Sequence, residues 1–343
     1  QMVSIEGDEG SRMKIENILV TGGGGFLGKA IVKKLLEEEF KVTSFSRGFY
    51  PELENMGVKQ IQGDLADKRT VIKAFEKIDA VFHVAGKFGI WGPYEDFFQI
   101  NVKGTENVIS ACKENNIKHL IYTSSTSVIF DKNDIENVNE TAPYPKKHLA
   151  HYPETKAIAE KLVIAAAKKG LNTISLRPHF IWGPEADHVV DRIINRAEKL
   201  KRIGPKEYLV DTIYVDNAAD AHLWALQKLL EKPSLSGNVY FVSQDEPVSL
   251  WDMVDTLLDA AGKPPVKGEV SAKTVYTAGV IFEFVYKLLK IKKDPPMTRF
   301  FAVTSGTSHW FDISKAKRDL GYYPKISTKE GLKKFKQWFT TME

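Results

Sequence analysis

The fold is decided by the stretch Ile18-Leu19-Val20-Thr21-Gly22-Gly23-Gly24-Gly25-Phe26-Leu27-Gly28. Its apolar start predicts a strand, its glycines predict a tight turn, and the apolar residues that follow recur at helical spacing. Between a strand and a helix, glycines let backbone amides approach a pyrophosphate at the helix N-terminus. The stretch therefore predicts a dinucleotide site, with contacts from Gly22, Gly25, Phe26, Leu27 and Gly28.

Short β-branched runs alternate with helical periodicity from residue 14 to about residue 177. This alternation is typical of βαβ units stacked on a parallel sheet, and it argues against a merely flexible glycine turn. The predicted strands are 18–20, 41–46, 58–62, 80–85, 120–124 and 173–177. The predicted helices between the later strands are 68–77, 94–115 and 153–169. We therefore predict an α/β fold with a doubly wound parallel sheet of the Rossmann type.

The pattern loosens after residue 184, where prolines become frequent and helices are predicted at 189–200, 217–231 and 250–261. We expect a dinucleotide-binding domain at 13–185. Residues 186–343 are expected to form mainly a smaller C-terminal α/β substrate lobe, with some segments returning to the Rossmann sheet. Residues 1–12 are acidic and glycine-containing, and Met13 offers a natural start, so they are expected to be a loose tail or an added extension.

Composition narrows the class of protein. The 343 residues are 43% hydrophobic and 27% charged, which is enough for a sizeable core and excludes a disordered chain. The net charge of +4 is too small and too evenly spread to indicate nucleic-acid binding. No apolar run reaches the ~18 residues that a membrane-spanning helix needs. The single Cys112 suits a reducing compartment, so we expect a cytoplasmic protein. His83, His188 and His222 lack a metal-ligand spacing, so no metal is expected.

The tip of the second predicted strand selects the cofactor. A fold that prefers NAD places an Asp or Glu about 20 residues after the glycine turn, where it accepts hydrogen bonds from ribose hydroxyls. Residues 40–51 contain no acid, and Ser46 and Arg47 offer a hydroxyl and a guanidinium suited to a 2′-phosphate. We therefore predict NADP(H); the alternative is that Arg47 is only a solvated loop residue. Asp64 and Leu65 are predicted to hold the adenine, unless Asp64 caps the next helix.

Tyr152 and Lys156 lie four residues apart at the start of a predicted helix, so both project from one face. A phenol titrates near 10 and transfers protons poorly at neutral pH, but a fixed cation nearby stabilises the phenolate. We predict that Lys156 lowers the pKa of Tyr152 and that Tyr152 is an acid/base group. The alternative is an exposed tyrosine beside a surface lysine.

Hydroxyl side chains cluster at residues 122–127, where the fifth predicted strand ends. Ligands bind outside the carboxyl ends of parallel strands, so this cluster is expected to face the cofactor. We predict that Ser125, ahead of Ser124 and Thr126, donates a hydrogen bond to a substrate carbonyl beside Tyr152. The alternative is that these hydroxyls only cap or line a turn.

These motifs resemble those of the extended short-chain dehydrogenases/reductases. The matching motifs are Thr21-Gly22-x-x-Gly25-x-x-Gly28, Gly63-Asp64-Leu65, Val81-Phe82-His83-Val84-Ala85-Gly86, Asn101-Val102-x-Gly104-Thr105, the Ser125 region, Tyr152-x-x-x-Lys156, Leu176-Arg177-Pro178 and Trp182-Gly183-Pro184. The resemblance implies that the tyrosine is the acid/base, that the lysine orients the nicotinamide ribose and that the serine positions the carbonyl. It also implies a homodimer formed by the helices near Tyr94 and Tyr152. The turn after the fourth strand is expected to contact the cofactor through Val84, Ala85, Gly86 and Lys87.

A closer resemblance extends into the second half of the chain. It is carried by Ser46-Arg47-Gly48-Phe49-Tyr50-Pro51-Glu52-Leu53, Gln62-Gly63-Asp64-Leu65-Ala66-Asp67, Trp91-Gly92, Asp211-Thr212-x-Tyr214-x-Asp216-Asn217-Ala218 and Pro295-Pro296-x-Thr298-Arg299-Phe300. These motifs are similar to those of the 2-alkyl-3-oxoalkanoate reductases of bacterial long-chain olefin biosynthesis, which are relatives of the 3β-hydroxysteroid dehydrogenases. The resemblance implies reduction of the 3-ketone of a 2-alkyl-3-oxo fatty acid with NADPH, in an enzyme that belongs to lipid metabolism and to a multi-enzyme assembly.

The stretch 275–291 is strongly apolar. A helix there either lines an acyl channel or rests on a membrane surface with help from Lys290, Lys292 and Lys293; the alternative is ordinary core packing. Four aromatic residues are predicted as walls of a pocket for a hydrophobic substrate: Trp91, Phe180, Trp182 and Phe284.

Two other functions compete with the ketone reductase. The first is another enzyme on the same scaffold: an NAD-dependent nucleotide-sugar epimerase, a nucleotide-sugar dehydratase, or an oxidoreductase like the 3β-hydroxysteroid dehydrogenases. The acid-free strand tip argues against the epimerase, which keeps NAD bound. The second is a protein that senses NADP without turnover; the intact Tyr152 and Lys156 pair argues against it, because a sensor needs no acid/base group.

Overall fold

A seven-stranded parallel sheet forms the centre of the molecule. The computed structural model describes residues 15–186, 189–204 and 207–342. The strands are β1 (Asn17–Thr21), β2 (Lys41–Ser46), β3 (Lys59–Gln62), β4 (Ala80–His83), β5 (His119–Thr123), β6 (Ile135–Val138), β7 (Asn172–Pro178), β8 (Ile181–Trp182), β9 (Arg202–Ile203), β10 (Leu209–Val210), β11 (Ile213–Tyr214), β12 (Asn238–Val242), β13 (Val248–Ser249), β14 (Glu269–Val270) and β15 (His309–Phe311). The central sheet has the order β12-β7-β5-β4-β1-β2-β3. This order confirms the predicted doubly wound parallel sheet.

Helices cover both faces of this sheet. They are α1 (Phe26–Glu37), α2 (Pro51–Asn55), α3 (Lys68–Ala74), α4 (Tyr94–Phe97), α5 (Gly104–Glu114), α6 (His151–Ala167), α7 (Val189–Asn195), α8 (Val215–Glu231), α9 (Leu250–Ala260), α10 (Ala272–Leu288), α11 (Arg299–Thr304), α12 (Ser314–Leu320) and α13 (Thr328–Met342). Helices α1 and α8 pack together on one face of the sheet, and α3, α5 and α6 lie on the other. The tail predicted at residues 1–12 lies outside the described residues.

The alternation of side chains along the strands divides the core in two. Ile18 and Val20 of β1 join the cluster under α1 and α8, whereas Leu19 between them joins the cluster under α3, α5 and α6. This is the two-residue period of a strand that is buried on both faces. Strand β1 pairs with β2 on one side, where Thr21 lies opposite Phe45, and with β4 on the other side, where Thr21 lies opposite His83. The strand order therefore reverses at β1, and a parallel sheet binds ligands at such a point, outside the carboxyl ends of its strands.

Tertiary structure modifies several of the predicted elements. The helix predicted at 94–115 is divided into α4, a π-helical segment Phe98–Lys103 and α5. The helix predicted at 189–200 ends at Asn195, and a separate short turn follows. Strand β12, from the second half of the chain, adds the seventh strand to the sheet by pairing with β7.

The rest of the second half forms a lobe above the carboxyl ends of the strands. Its core is a cluster around Ile203, Trp251, Leu258 and Val275, contributed mainly by α9, α10 and their flanking segments. A four-stranded sheet of order β13-β10-β15-β6 connects this lobe to the loops that follow β5. None of the helices in the described part of the chain is both long and apolar enough to span a membrane.

Candidate active site

One continuous cleft of about 2120 Å³ lies between the carboxyl edge of the sheet and the lobe. The glycine turn forms one end of it, Tyr152 and Lys156 lie along it, and apolar residues of the lobe form the far end. The predicted cofactor site and the predicted catalytic site are thus parts of one space.

The glycine turn is shaped by close backbone contacts. Gly22 has a φ of 72°, and its N–H donates to the carbonyl of Phe45 at 2.8 Å. A Cβ atom on Gly28 would lie 2.0 Å from the carbonyl oxygen of Gly22, so only glycine fits there. Helix α1 begins after Gly25 with no side chain capping it, which leaves its first N–H groups available to bind an anion. The predicted contacts all line the cleft: Gly22, Gly25, Phe26, Leu27 and Gly28.

The tip of β2 presents the predicted hydroxyl and guanidinium to the cleft. The Oγ atom of Ser46 is buried without a hydrogen-bond partner among the described residues. Arg47 is exposed, lines the cleft and makes no ion pair within the part of the chain that the structure describes. A buried hydroxyl and an uncompensated cation fit a phosphate group.

Asp64 and Leu65 also line the cleft. The Asp64 carboxylate accepts from the N–H of Ala66 at 2.9 Å, within the loop. The side chain that caps α3 is that of Asp67, which accepts from the N–H of Arg69. The alternative reading of Asp64 as a helix cap is therefore wrong.

Residues Val84, Ala85, Gly86 and Lys87 line the middle of the cleft. His83 anchors their loop, because its ring bonds the hydroxyl of Thr21 at 2.8 Å and that of Thr105 at 2.9 Å. Burial lowers the pKa of His83 to about 3, so the ring is neutral. It is a structural histidine.

Asn101 is a positioning residue that was not among the predicted site residues, although it lies in one of the quoted motifs. Its side chain accepts from the N–H of Lys87 at 2.7 Å and donates to the carbonyl of Lys87 at 3.1 Å. It also donates to the hydroxyl of Thr155 at 3.0 Å, next to the predicted catalytic lysine in sequence. The π-helical segment carries this buried amide, which joins the cofactor loop to α6.

Tyr152 lies in the first turn of α6 and lines the cleft. Burial raises the pKa of the phenol, and a hydrogen bond with Ser125 opposes that shift. The phenol is therefore protonated at neutral pH and adjoins a second hydroxyl. The ring of Phe88 meets the tyrosine edge-on, with centroids 5.0 Å apart.

Lys156 is buried one turn further along α6. Its ammonium donates to the carbonyl of Thr123 at 2.6 Å and lies 4.3 Å from the ring centroid of Tyr122. Burial lowers the pKa of Lys156 to about 7. The prediction that Lys156 lowers the pKa of Tyr152 is not met here, because burial dominates both groups.

A chain of hydrogen bonds fixes the hydroxyl cluster after β5. Thr126 Oγ1 lies 2.8 Å from His179 Nδ1, His179 Nε2 lies 2.7 Å from His309 Nδ1, and His309 Nε2 lies 2.8 Å from the carbonyl oxygen of Thr304. That carbonyl can only accept, and burial lowers the pKa of both imidazoles so that they are neutral. Each N–H must therefore point toward Thr304, and the Thr126 proton is committed to His179. This favours Ser125 over Thr126 as the donor to a substrate.

Ser125 lines the cleft and also begins a short turn. Its Oγ atom lies 2.9 Å from that of Ser127 and accepts from the N–H of Ser127 at 3.2 Å. Ser125 can therefore both cap the turn and bind a substrate carbonyl, because capping uses a lone pair of the hydroxyl and leaves its proton available. The Ser124 Oγ atom is buried with no partner in the described structure.

Two of the four predicted pocket walls lie elsewhere. Trp91 and Phe180 line the cleft. Trp182 is fully buried beneath it, donating to the hydroxyl of Thr212 at 3.2 Å, because its strand turns that side chain into the core. Phe284 is 67% exposed on the outside of α10, and Phe282 lines the cleft in its place. The predictions for Trp182 and Phe284 were wrong about the direction of the side chain, because Trp182 points into the core and Phe284 points out to solvent.

No cluster of three or more potential metal ligands occurs among the His, Cys, Asp and Glu side chains that the structure describes. His222 bonds the hydroxyl of Thr123 at 2.8 Å and the carbonyl of Ala218 at 2.7 Å. His188 lies outside the described residues.

Comparison with known proteins assigns the chain to a family. Residues 19–269 match the 3-beta hydroxysteroid dehydrogenase/isomerase family. The chain belongs to that family. Within it, a 2-alkyl-3-oxoalkanoate reductase of Shewanella oneidensis is 45% identical over 333 residues, which cover 94% of this chain and 86% of the relative. A 2-alkyl-3-oxoalkanoate reductase of Stenotrophomonas maltophilia is 44% identical over 323 residues, covering 93% and 98%.

The solved structure of a protein named gox2253 has a TM-score of 0.78 and is 25% identical, covering 95% of this chain and 98% of that chain. As a member of the 3-beta hydroxysteroid dehydrogenase/isomerase family the protein is an oxidoreductase of the extended short-chain dehydrogenase/reductase type, as the motifs indicated. The uncapped helix, the glycine cradle and the buried hydroxyl at the β2 tip fit a nicotinamide dinucleotide as its cofactor.

Proposed function

We propose that the protein reduces the 3-ketone of a 2-alkyl-3-oxoalkanoic acid to the 3-hydroxy acid with NADPH. The observation that carries the proposal is that Ser125 and Tyr152 line the cleft together, at the point where its cofactor end becomes the apolar part of the lobe. The two bacterial relatives named 2-alkyl-3-oxoalkanoate reductases support this substrate class.

The β2 tip supports NADP(H) over NAD(H). Arg47 and the buried Ser46 hydroxyl supply a cation and a hydrogen bond at the position where an acidic side chain would repel a 2′-phosphate. The glycine turn and the first turn of α1 would hold the pyrophosphate.

Different residues of this chain would polarise the carbonyl, deliver the proton and position these groups. When bound, the nicotinamide supplies the hydride. Ser125 donates a hydrogen bond to the carbonyl oxygen and polarises the bond. Tyr152, held in its protonated form by burial, then delivers a proton to the developing alkoxide. Lys156 and Asn101 hold the backbone on either side of this pair.

The apolar end of the cleft suits two alkyl chains. Its walls come from α9, α10 and α11 and the segments beside them: Leu200, Ile203, Leu250, Val254, Val275, Phe282, Met297 and Phe300. Burying a chain there is favourable in proportion to the apolar area removed from water. A nucleotide sugar would instead place its hydroxyls against these apolar side chains, which disfavours an epimerase.

We further propose a cytoplasmic homodimer that works within a multi-enzyme assembly. Support for the compartment comes from cysteine usage, because the chain has a single, buried thiol, Cys112, and does not rely on an internal disulfide. The helices near Tyr94 and Tyr152 remain the proposed dimer contact. Sedimentation equilibrium of the purified chain tests the dimer.

A substrate panel tests the proposed reaction. Oxidation of NADPH is followed with 2-alkyl-3-oxo acids, steroid ketones and nucleotide sugars, and we expect turnover with the first class. The Tyr152→Phe variant should lose about 10²- to 10⁴-fold in kcat while NADPH binding, followed by fluorescence, is unchanged. Tyr323→Phe, which removes the same hydroxyl group from an exposed ring outside the cleft, should retain the activity.

Two results would contradict the proposal. Epimerisation of sugar nucleotides without net oxidation of NADPH would favour the epimerase. Full activity in Tyr152→Phe would remove the phenol from the reaction.

A further inference from the structure

Helix α10 exposes an apolar face. Six of the ten large hydrophobic side chains that are exposed among the described residues fall within residues 280–289. We define the outer face of α10 as these six residues: Val280, Ile281, Phe284, Val285, Leu288 and Leu289. Phe284 and Leu288 are 67% and 68% exposed. Residues 281, 284, 285 and 288 have the spacing of one helical stripe, so the exposure is continuous along the helix.

The opposite face of α10 is fully occupied. Val275 is buried in the lobe, and Gly279 packs so closely that a Cβ atom there would lie 2.8 Å from the N atom of Arg299. The Glu283 carboxylate accepts from the N–H of Arg299 and from its guanidinium, both at 2.7 Å. Helix α10 therefore cannot rotate to bury its outer face without breaking these contacts.

Charge is arranged around the outer face, not on it. Glu283 is the only charged residue from 274 to 286, and it points inward to Arg299. Lys287, Lys290, Lys292 and Lys293 then follow, all exposed and without ion-pair partners in the described structure. An apolar stripe bordered by free cations matches the acyl and headgroup layers of a membrane that contains anionic lipids.

We propose that the outer face of α10 docks this protein on the surface of an anionic phospholipid bilayer. The helix lies in the plane of the interface, with the outer face among the acyl chains and the lysines at the phosphates. A second copy of the chain suits this face poorly, because residues 263–293 carry seven lysines against two acids, Glu269 and Glu283. A two-fold contact would bring those cations together.

The docking surface adjoins the mouth of the cleft. Phe282 and Tyr286, on the inner side of the same helix, line the cleft, as do Lys292 and Lys293 just beyond it. Trp91 closes over this end by donating to the carbonyl of Ile291 at 3.2 Å. If the substrate has long alkyl chains, as the proposed function holds, it can pass from the bilayer into the cleft. Docking itself does not depend on that substrate.

Vesicle co-sedimentation of the full chain, without substrate, tests the docking. We expect the protein to pellet with vesicles of phosphatidylglycerol and phosphatidylcholine, to pellet far less with phosphatidylcholine alone, and to be released by added salt. The double variant Phe284→Ser/Leu288→Ser should weaken binding to the anionic vesicles by roughly tenfold or more. Lys287→Glu/Lys290→Glu should weaken it and reduce its dependence on salt.

Matched control variants replace exposed aromatic and lysine side chains at other places on the surface. Tyr323→Ser removes a side chain that is 59% exposed, and Lys168→Glu/Lys169→Glu reverses two exposed cations at the end of α6; both should bind like the parent protein. Urea unfolding shows that each variant is folded, without reference to any substrate. The proposal is overturned if the parent protein stays in the supernatant with anionic vesicles, or if Phe284→Ser/Leu288→Ser binds them equally well. It is also overturned if that variant only dissociates a dimer, since the face is then a subunit interface.

Discussion

His179 and His309, 130 residues apart in the chain, are joined by a 2.7 Å hydrogen bond between Nε2 of the first and Nδ1 of the second. The bond links the end of β7 in the Rossmann domain to the start of β15 in the lobe. Through Thr126 it continues to the loop that carries Ser125. The position of the Ser125 hydroxyl, which is proposed to bind the substrate carbonyl, therefore depends on how the Rossmann domain packs against the lobe.

Replacing His309 tests this connection. In His309→Leu the N–H of His179 loses its acceptor inside the protein, so we expect a loss of about 1 to 3 kcal/mol in the free energy of unfolding, measured with urea. The kcat for ketone reduction should fall as well. His309→Gln retains an acceptor and a donor and should recover most of both. Equal losses in the two variants would show that the hydrogen bonds are not what matters at this position.

Acidification should destabilise the protein through its buried histidines. Burial lowers the pKa of His83 to about 3 and those of His222 and His309 to about 4, from an ordinary 6.5. Between pH 6.5 and 4 the unfolded chain therefore binds protons at these rings that the folded protein does not bind. The free energy of unfolding must then fall as the pH falls, by up to ~1.4 kcal/mol per pH unit for each ring. Burial raises the pKa of Asp211 to about 6, so the folded protein binds a proton there before the unfolded chain does. Asp211 therefore stabilises the fold as the pH falls and offsets the effect of about one histidine ring.

Urea unfolding at several pH values between 7 and 4.5 measures this slope. His222→Gln removes one of the titrating rings and should make the dependence shallower. A free energy of unfolding that stays constant over this range would contradict the neutral, buried state of the imidazoles.

Arg47 is predicted to select the phosphorylated cofactor. Arg47→Ala should weaken NADPH binding by about 10- to 100-fold and leave NADH binding nearly unchanged, because only the 2′-phosphate needs the cation. Fluorescence titration with each cofactor measures both constants. Lys59→Ala, an exposed cation on β3 outside the cleft, should change neither. An equal loss for both cofactors would mean that Arg47 supports the loop and not the phosphate.

The buried ion pair of Glu160 and Arg177 should be strongly coupled. Two hydrogen bonds of 2.9 Å and 2.6 Å join the side chains, which are 0% and 3% exposed, and the hydroxyl of Tyr144 also donates to the carboxylate. Either Glu160→Leu or Arg177→Met leaves a buried charge without its partner, at about 3 to 5 kcal/mol in the free energy of unfolding. The double variant Glu160→Leu/Arg177→Met should lose much less than the sum of the two. Additive losses in urea unfolding would show that the two charges act independently.

Local sequence patterns were sufficient for the central sheet and the cofactor turn. β-branched runs separated by helical periodicity specify parallel strands with crossovers, and the positions of Gly22 and Gly28 allow only one kind of turn. The bounds of β2 agree with the prediction residue for residue. The Tyr152 and Lys156 spacing likewise fixed both side chains on one face of α6, since helical geometry needs no long-range information.

Tertiary structure alone decided the rest. Helix α10 is apolar on nearly every side, so its sequence could not show whether Phe282 or Phe284 faces the cleft; the close contact of Gly279 with Arg299 decided it. Trp182 was turned inward by the pairing of its short strand β8 with β11. The Thr126, His179 and His309 chain joins residues that are distant in sequence, and the lowered pKa of Lys156 comes from burial that no local pattern encodes. Periodicity sets directions within one element, whereas contacts between elements set which direction is inside and how a charge is solvated.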